Sequence, residues 1–450
     1  MVQSSRIHAL NKKPVRNGSY VLYWMQQSQR AVYNHALEYA VCEANRFNKP
    51  LIVYFGLTAE FPEANCRHYV FMLQGLLETK AILYQRGINM VVEHCNPVEG
   101  VVLMALDAVL VITDMGYLRI QQQWRFDSAS KIVCKMVEIE SDVIIPVAIA
   151  SSKEQFSART LRPKIQHLLP MYLVPLKSED IRKDSLGYSQ KDILTGKTID
   201  QIVSSLNVES SVQQVHWLSG GISCALEQLT IFINKKMDHF ADLRNDPSLD
   251  YCSNLSSYLH FGQISPLHIA LEVKKYNNPG QNSFLEELIV RRELSMNFIW
   301  YNSMYDSFFH LPQWALATLQ AHKNDVREYI YDQDQLENAQ THDPYWNAAQ
   351  QEMVHRGKMH GYMRMYWGKK IIEWTKSPQE AFSTALYLNN KYEIDGRDPN
   401  GFTGVAWCFG KHDRAWKERP IFGKVRYMSA AGLKRKFDID SYVKRCNSYQ

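Results

Sequence analysis

The chain has 450 residues, of which 46% are hydrophobic and 22% charged; that is enough apolar content for the cores of roughly two to three domains, and it excludes a disordered or fibrous protein. A formal charge of +5 with a pI near 8.6 permits a nucleic-acid partner without requiring one. The 8 cysteines are scattered, with no Cys-x-x-Cys pair and no Cys/His cluster at metal spacing, so neither a disulfide framework nor a metal site is indicated.

The opening MVQSSRIHALNKKPVRNG has basic residues but no apolar segment behind them, and no stretch approaches the roughly 20 apolar residues of a membrane span. A soluble, intracellular protein is expected, with cytoplasm and nucleus not distinguished. From Tyr20 onward, β-rich runs at 20–25, 50–57, 88–94, 108–115 and 134–141 alternate with helix candidates near 29–47, 65–86 and 97–106. This order predicts an α/β domain over 1–170 with a parallel, doubly wound sheet. No G-x-G-x-x-G follows its first strand, so the usual dinucleotide site is not indicated there. Residues 171–215 are polar and aperiodic and read as a long linker with one short helix. Over 216–450 the pattern predicts an all-α domain, with helices near 221–240, 266–276, 281–300, 313–330, 347–356, 360–375 and 378–390.

Candidate chemistry converges on 341–416, a segment dense in Trp, Met, Arg, Asp and Asn. Met359, Met363, Trp367 and Trp374 share or border one helical stripe, and Arg364 stands among them where a bare core would carry Leu. Such an Arg needs an anion or a carboxylate partner. Upstream, Ser253, Asn254, Leu255 and Ser256 form a polar turn before a helix, suited to a phosphate. Each feature has an ordinary alternative: the turn as an N-cap, Arg364 with Asp395 as a structural salt bridge, Asn389 as a cap, Glu287 as a solvated helix residue, Trp407 and the other tryptophans as core.

The order HGYMRMYW, LNN, DGRDPNG, a Trp and HDRAW resembles the flavin-binding domain of the photolyase/cryptochrome superfamily, and within it the class II cyclobutane pyrimidine dimer photolyases. LRNDPS at 243–248, SNLSSYLHFGQIS at 253–265, EELIVRRELSMNF at 286–298 and GKVRYMS at 423–429 match that class in the same order. The resemblance runs from about Arg6 to the end and is weakest near 175–215.

The resemblance implies an FAD cofactor, active in its reduced anionic form, in an all-α FAD-binding domain. Phe240, Ser253, Asn254, Leu255 and Ser256 would hold its diphosphate side. Arg364 and Asp395 would face the ring's pyrimidine edge, and Asn389 the reactive central-ring nitrogen. Glu287, Met365 and Trp407 would meet the substrate, with Glu287 as a proton donor. Trp346, Trp367 and Trp374 would relay an electron to photoexcited oxidised flavin. A deazaflavin- or folate-type antenna pigment is possible in the α/β domain.

The implied activity is light-driven repair, in which an electron passes from excited reduced FAD to a pyrimidine dimer flipped out of ultraviolet-damaged double-stranded DNA. Arg244, Arg291, Lys411, Asp413 and Arg414 are the candidate DNA-binding residues, with Arg244 and Asp413 as a pair and Arg292, Lys424, Arg426 and Lys434 to Lys436 as further basic positions. A monomer is expected. Met296 departs from the acidic residue the family commonly carries there. The alternatives are a cryptochrome-like photoreceptor, which the retention of Glu287, Met365 and Trp407 disfavours, a flavin oxidoreductase of a soluble substrate, and a photolyase for the six-four photoproduct.

Overall fold

The computed structural model describes residues 2–188 and 190–449; Ser189, inside the expected linker, lies outside them. Among these residues one sheet forms, from β1 (Ile7–Ala9), β2 (Tyr20–Trp24), β3 (Leu51–Leu57), β4 (Asn89–His94), β5 (Ala108–Asp114) and β6 (Lys135–Ile139), in the order β1-β6-β5-β2-β3-β4. The last five pair in parallel, with Val21 opposite Leu51, Leu22 opposite Val111 and Leu110 opposite Lys135. β1 adds an antiparallel edge, Ile7 opposite Ile139, which is too short to show in the sequence.

Side-chain alternation explains why the sheet is covered on both faces. Val21 and Tyr23 point into one core with the helices α1 (His35–Phe47) and α2 (Cys66–Gln85). Tyr20, Leu22 and Trp24 point into the other, with α3 (Pro97–Met104) and α4 (Arg119–Lys131). The chain runs outward from β2 to β4 and then returns to place β5 against β2, so a topological switch point opens at the carboxyl ends of β2 and β5.

Two expected boundaries move for physical reasons. The helix foreseen from 29 starts at His35, because the buried Asp114 carboxylate accepts N–H bonds from Gln27 at 2.8 Å and from Gln26 and Ser28 at 3.2 Å and holds that turn out of helix. By packing, the helical body begins near Ile144, ahead of the expected linker: Ile144, Leu161, Ile165 and Tyr172 share a core with Leu229, Phe232 and Tyr258. The polar segment after Tyr172 is fastened back onto the sheet domain. Ser185 Oγ donates to Leu51 C=O at 2.6 Å, Ile193 N–H to Val92 C=O at 2.8 Å, and the helix Ile199–Leu206 packs on α2.

From Ile222 onward the described residues are helical, joined by irregular turns. The expected helix at 313–330 ends at Ala321. Helices at Pro399–Cys408, Ala430–Lys436 and Ile439–Asn447, not foreseen from the pattern, complete this body. Its central helix, Gly361–Trp374, is N-capped by His360, whose ring accepts the Tyr362 N–H at 3.2 Å. It buries Met363, Tyr366, Trp367 and Trp374, each fully buried side chain contributing roughly 1.5–3 kcal/mol.

Two arginines lock the domains together. Arg30 pairs with Asp142 at 2.6 Å and donates to Gly262 C=O at 2.9 Å. Arg67 donates to the carbonyls of Tyr392 at 2.6 Å and Gln213 at 2.8 Å. Gly262 has φ +64°, and a Cβ there would lie 2.0 Å from the Gln27 carbonyl, so only glycine allows this approach.

Candidate active site

A cavity of about 620 Å³ opens in the helical domain, within the range of cofactor sites. One side is the 240–256 segment: Phe240, Ser253, Asn254, Leu255 and Ser256 all line it. Asn254 has φ +60°, which turns the chain at that point, and Lys358 donates to its Oδ1. Lys358 also lines the cavity and was missed in the sequence, where it reads as one more surface lysine.

The opposite wall is built from Arg364 and Asp395, and the structure adds a third member. Arg364 Nη2 lies 3.8 Å from Asp395 Oδ1 but only 2.7 Å from Glu393 Oε1. The expected two-residue pair is therefore a guanidinium shared by two carboxylates, with Glu393 the nearer. Burial pushes Glu393 up to about 8, against the pull of Arg364. Arg364 is itself desolvated, yet Glu393 and then Asp395 hold it above its usual range. Arg364 Nε and Glu393 Oε2 are buried without a hydrogen-bond partner.

Asn389 stands behind the lining. It is buried, with Nδ2 donating to Asn390 Oδ1 at 3.2 Å, and a Cβ on Gly401 would come within 3.0 Å of that nitrogen. The small Gly401 is what leaves room beside the amide.

At the mouth, residues 286–291 wind as a π-helical turn between the helices Pro279–Leu285 and Arg292–Tyr301. Glu287 and Arg291, four residues apart on this turn, both line the cavity. Glu287 pairs with Arg244 at 2.9 Å and Arg291 with Glu286 at 3.4 Å, all four side chains partly exposed. Met365 and Trp407 complete the mouth. Trp407 is flanked by two cations, Lys369 Nζ 5.6 Å and the Arg426 guanidinium 5.7 Å from its ring. Lys369 is fully buried and donates to Cys408 C=O, and burial lowers its pKa to about 8.

Three basic-face expectations change. Lys411 is buried, ion-paired with Glu154 and placed over the Phe298 ring at 4.3 Å, so it is no free phosphate contact. Arg292 is buried and donates to Asp142 C=O at 2.6 Å. Arg244 pairs with Glu287 rather than with Asp413, whose carboxylate accepts the Trp416 indole N–H at 3.2 Å. Arg414 is exposed, 5.1 Å from the Trp416 ring. Met296 is buried in an apolar cluster with Phe298 and Phe402, which accounts for an apolar residue there.

Behind the cavity the three tryptophans are in contact. Trp346 and Trp367 stack at 6.3 Å with planes 6° apart, and Trp346 meets Trp374 edge-on at 5.9 Å. Trp367 and Trp374 share a helix but connect through Trp346, and their order is Trp367, Trp346, Trp374. Trp367 stands three residues from Arg364, one helical turn along.

A second cavity lies at the switch point of the sheet. A slot of about 100 Å³, lined by Trp24, Phe55, Phe61, Met72 and Trp124, shares Phe61, Leu118, Trp124 and Arg397 with an adjoining cleft of about 880 Å³. Its polar edge is Gln26, Gln29 and Arg397; both Gln26 amide atoms, Gln29 Oε1 and Arg397 Nε are buried without partners. Nothing in the sequence marked these residues. Among the described residues no group of His, Cys, Asp or Glu is arranged to hold a metal ion, and no helix is long and apolar enough to cross a membrane.

The profile of the family described as DNA photolyase matches residues 21–180. The chain is 52% identical over 446 residues to a deoxyribodipyrimidine photo-lyase of Methanothermobacter thermautotrophicus, covering 99% of this chain and 98% of that protein. It is 42% identical to one of Arabidopsis thaliana, covering 98% and 92%. Among solved structures it resembles an archaeal photolyase from Sulfolobus tokodaii with two FAD molecules, at a TM-score of 0.69 and 15% identity, over 94% of this chain and 89% of that one. A parallel α/β domain locked to a helical domain with an internal cavity is the photolyase fold. With chain-long identity to these curated relatives, the chain belongs to the DNA photolyase family.

Proposed function

We propose that this chain is a class II cyclobutane pyrimidine dimer photolyase. It binds one FAD in the helical-domain cavity and splits dimers in ultraviolet-damaged DNA with light, acting as a monomer on a lesion flipped out of the duplex. The observation that carries the reading is the cavity's arrangement. A polar turn with a lysine stands on one side, a shared guanidinium with unpartnered polar atoms on the other, an indole and a thioether at the mouth, and three touching tryptophans behind. These residues fit a flavin dinucleotide: hydroxyl, amide and ammonium groups for phosphates, and a charged edge for the ring. Class II is favoured by the ordered motifs and by Asn389 beside Gly401.

Reduced FAD, when bound, supplies a light-excited electron donor. Arg364 and Asp395 fix its polar edge, while Ser253, Asn254, Ser256 and Lys358 hold the diphosphate. Trp407 and Met365 form the apolar wall on which the dimer rings stack, and Glu287 presents a carboxyl to their carbonyl edge once Arg244 turns to a phosphate. Flipping the pair costs a few kcal/mol, less where the lesion has already weakened stacking.

The switch-point slot and cleft are the place for an antenna pigment of deazaflavin or folate type, with aromatic walls for a planar ring and Gln26, Gln29 and Arg397 at its edge. The test is the purified protein itself. It should carry one non-covalent FAD per chain and bind a thymine-dimer duplex in preference to the undamaged one. A chain unable to take up FAD would sink the reading.

A further inference from the structure

The wall of Arg364 and Asp395 is the cavity's floor, and Glu393, packed behind the lining against Arg364, adds one acid more than a guanidinium can neutralise. Glu393 directly follows the helix Pro378–Tyr392, and its position is fixed from three sides. His68 donates from Nε2 to the Glu393 carbonyl at 2.9 Å, its Nδ1 being occupied by the Asn65 N–H at 3.1 Å. Met359 N–H donates to Oε1 at 3.0 Å, and Arg364 reaches the same oxygen at 2.7 Å. The other oxygen, Oε2, is buried and unpartnered.

With both carboxylates ionised, Arg364, Glu393 and Asp395 sum to one negative charge beside a cavity read as the site of an anion. The outer groups facing Glu393 are one of each sign, Glu352 and Arg67, while His68 is held neutral by burial and Cys408 stands near Arg364. Arg397, which faces Asp395, also faces Glu63 and Asp398, so these outer groups leave the charge of the inner trio in place. A proton on Oε2 brings the inner trio to zero and gives that oxygen a hydrogen to donate, which removes both defects at once.

We propose that Glu393 is the proton-holding residue of the flavin floor: at a pH where it is ionised beside oxidised flavin, it takes up a proton when the bound flavin becomes the reduced anion and releases it on reoxidation. The exchange balances as FAD plus the Glu393 carboxylate plus two electrons and two protons giving FADH⁻ plus the Glu393 carboxylic acid. The electrons come from an external low-potential reductant, one proton goes to the flavin and the other to Oε2. Burial already pushes Glu393 up to about 8, opposed by Arg364 and reinforced by Asp395. The negative charge appearing in the cavity raises it further, so the carboxyl binds a proton at a pH where it is ionised beside oxidised flavin. Glu393 is a positioning residue here, and the proposal rests on the reading that the cavity holds FAD.

The experiment is an equilibrium redox titration of the FAD-loaded protein with low-potential dyes across a pH series. Two protons per two electrons change the reduced-to-oxidised ratio at fixed potential about hundredfold per pH unit, and one proton about tenfold. The wild type should change about tenfold per unit below about pH 8 and steepen toward about hundredfold above it. Glu393→Gln should stay near tenfold throughout. The reduced-minus-oxidised infrared difference spectrum of the wild type, taken above that pH, should gain a protonated carboxyl C=O band that Glu393→Gln lacks. If the variant loses flavin, the wild-type slope and band decide alone. A uniform tenfold slope with no carboxyl band overturns the proposal while leaving the FAD reading intact. A wild-type chain that cannot be loaded with FAD overturns both.

Discussion

The floor and the mouth of the cavity are both built from paired charges, but they differ in burial. On the floor the Glu393 side chain is 1% exposed and Arg364 21%, at a 2.7 Å contact. At the mouth Arg244 and Glu287 are 29% and 36% exposed at a similar distance, 2.9 Å. Equal geometry does not mean equal energy. Breaking a buried pair leaves an uncompensated charge and costs about 3–5 kcal/mol, whereas exposed pairs contribute about 0.2–1 kcal/mol because water and salt replace either partner. The floor is therefore suited to hold one ligand permanently, and the mouth to exchange its partners for DNA phosphates.

The largest effect expected from this contrast is at Arg364. Arg364→Met leaves Glu393 and Asp395 facing each other without a cation, and should cost about 3–5 kcal/mol of stability together with most bound flavin, read by denaturant unfolding and flavin absorbance. Full flavin occupancy in this variant would remove the distinction between floor and mouth.

Next comes pH. Burial raises Glu293 to about 8 and Glu140 to about 7, so the folded chain holds protons that the unfolded chain releases near 4.5. Their stabilisation is fully present below about pH 4.5 and is lost as pH rises to about 8. For each such group the slope is at most about 1.4 kcal/mol per pH unit. Glu293→Gln should flatten the decline between about pH 5 and 8 in urea unfolding; an unchanged slope would mean that Glu293, which accepts the Ile144 N–H at 2.5 Å, is ionised throughout.

At the mouth, Trp407→Ala should reduce the preference for dimer-containing duplex by about 1–3 kcal/mol without altering the salt dependence. The smallest effect belongs to Arg414. Arg414→Ala should weaken damaged and undamaged duplex alike and flatten the slope of log affinity against log salt by about 0.9. Fluorescence anisotropy over a salt series checks both, and an exchange of the two signatures would reverse the assignment of stacking and phosphate roles.

What could be read from the sequence followed the same division between patterned and unpatterned burial. The strands β2, β3 and β5 were legible because they are apolar on both faces, and β4 and β6 because each keeps a short apolar run, MVV and MV, ahead of its glutamate. α4 was not, because it buries Gln121, Arg125, Ser128 and Ala129, and Arg125 is satisfied by Glu138 at 2.8 Å and Gly116 C=O at 2.7 Å. A helix whose inner face is polar shows no apolar stripe. In the site, Arg364 stood out as a charge within an apolar stripe, while Asp395 followed from the family resemblance. Glu393 did not, since an acid next to a DG turn looks solvated until folding buries it against Arg364. Lys411 misled for the mirror reason: it sits in a basic run, yet Glu154 and Phe298 come from distant parts of the chain to cover it.

The most direct test of the account is light-dependent splitting of a thymine-dimer oligonucleotide by FAD-loaded protein reduced chemically in the dark, compared between wild type and Trp346→Phe. Light should restore the intact bases at the same rate in both, because the stacked tryptophans serve reduction of the flavin and not repair, while photoreduction of the oxidised protein should be slowed in the variant alone. Splitting in the dark, or no splitting by the reduced wild-type protein in light, would contradict it.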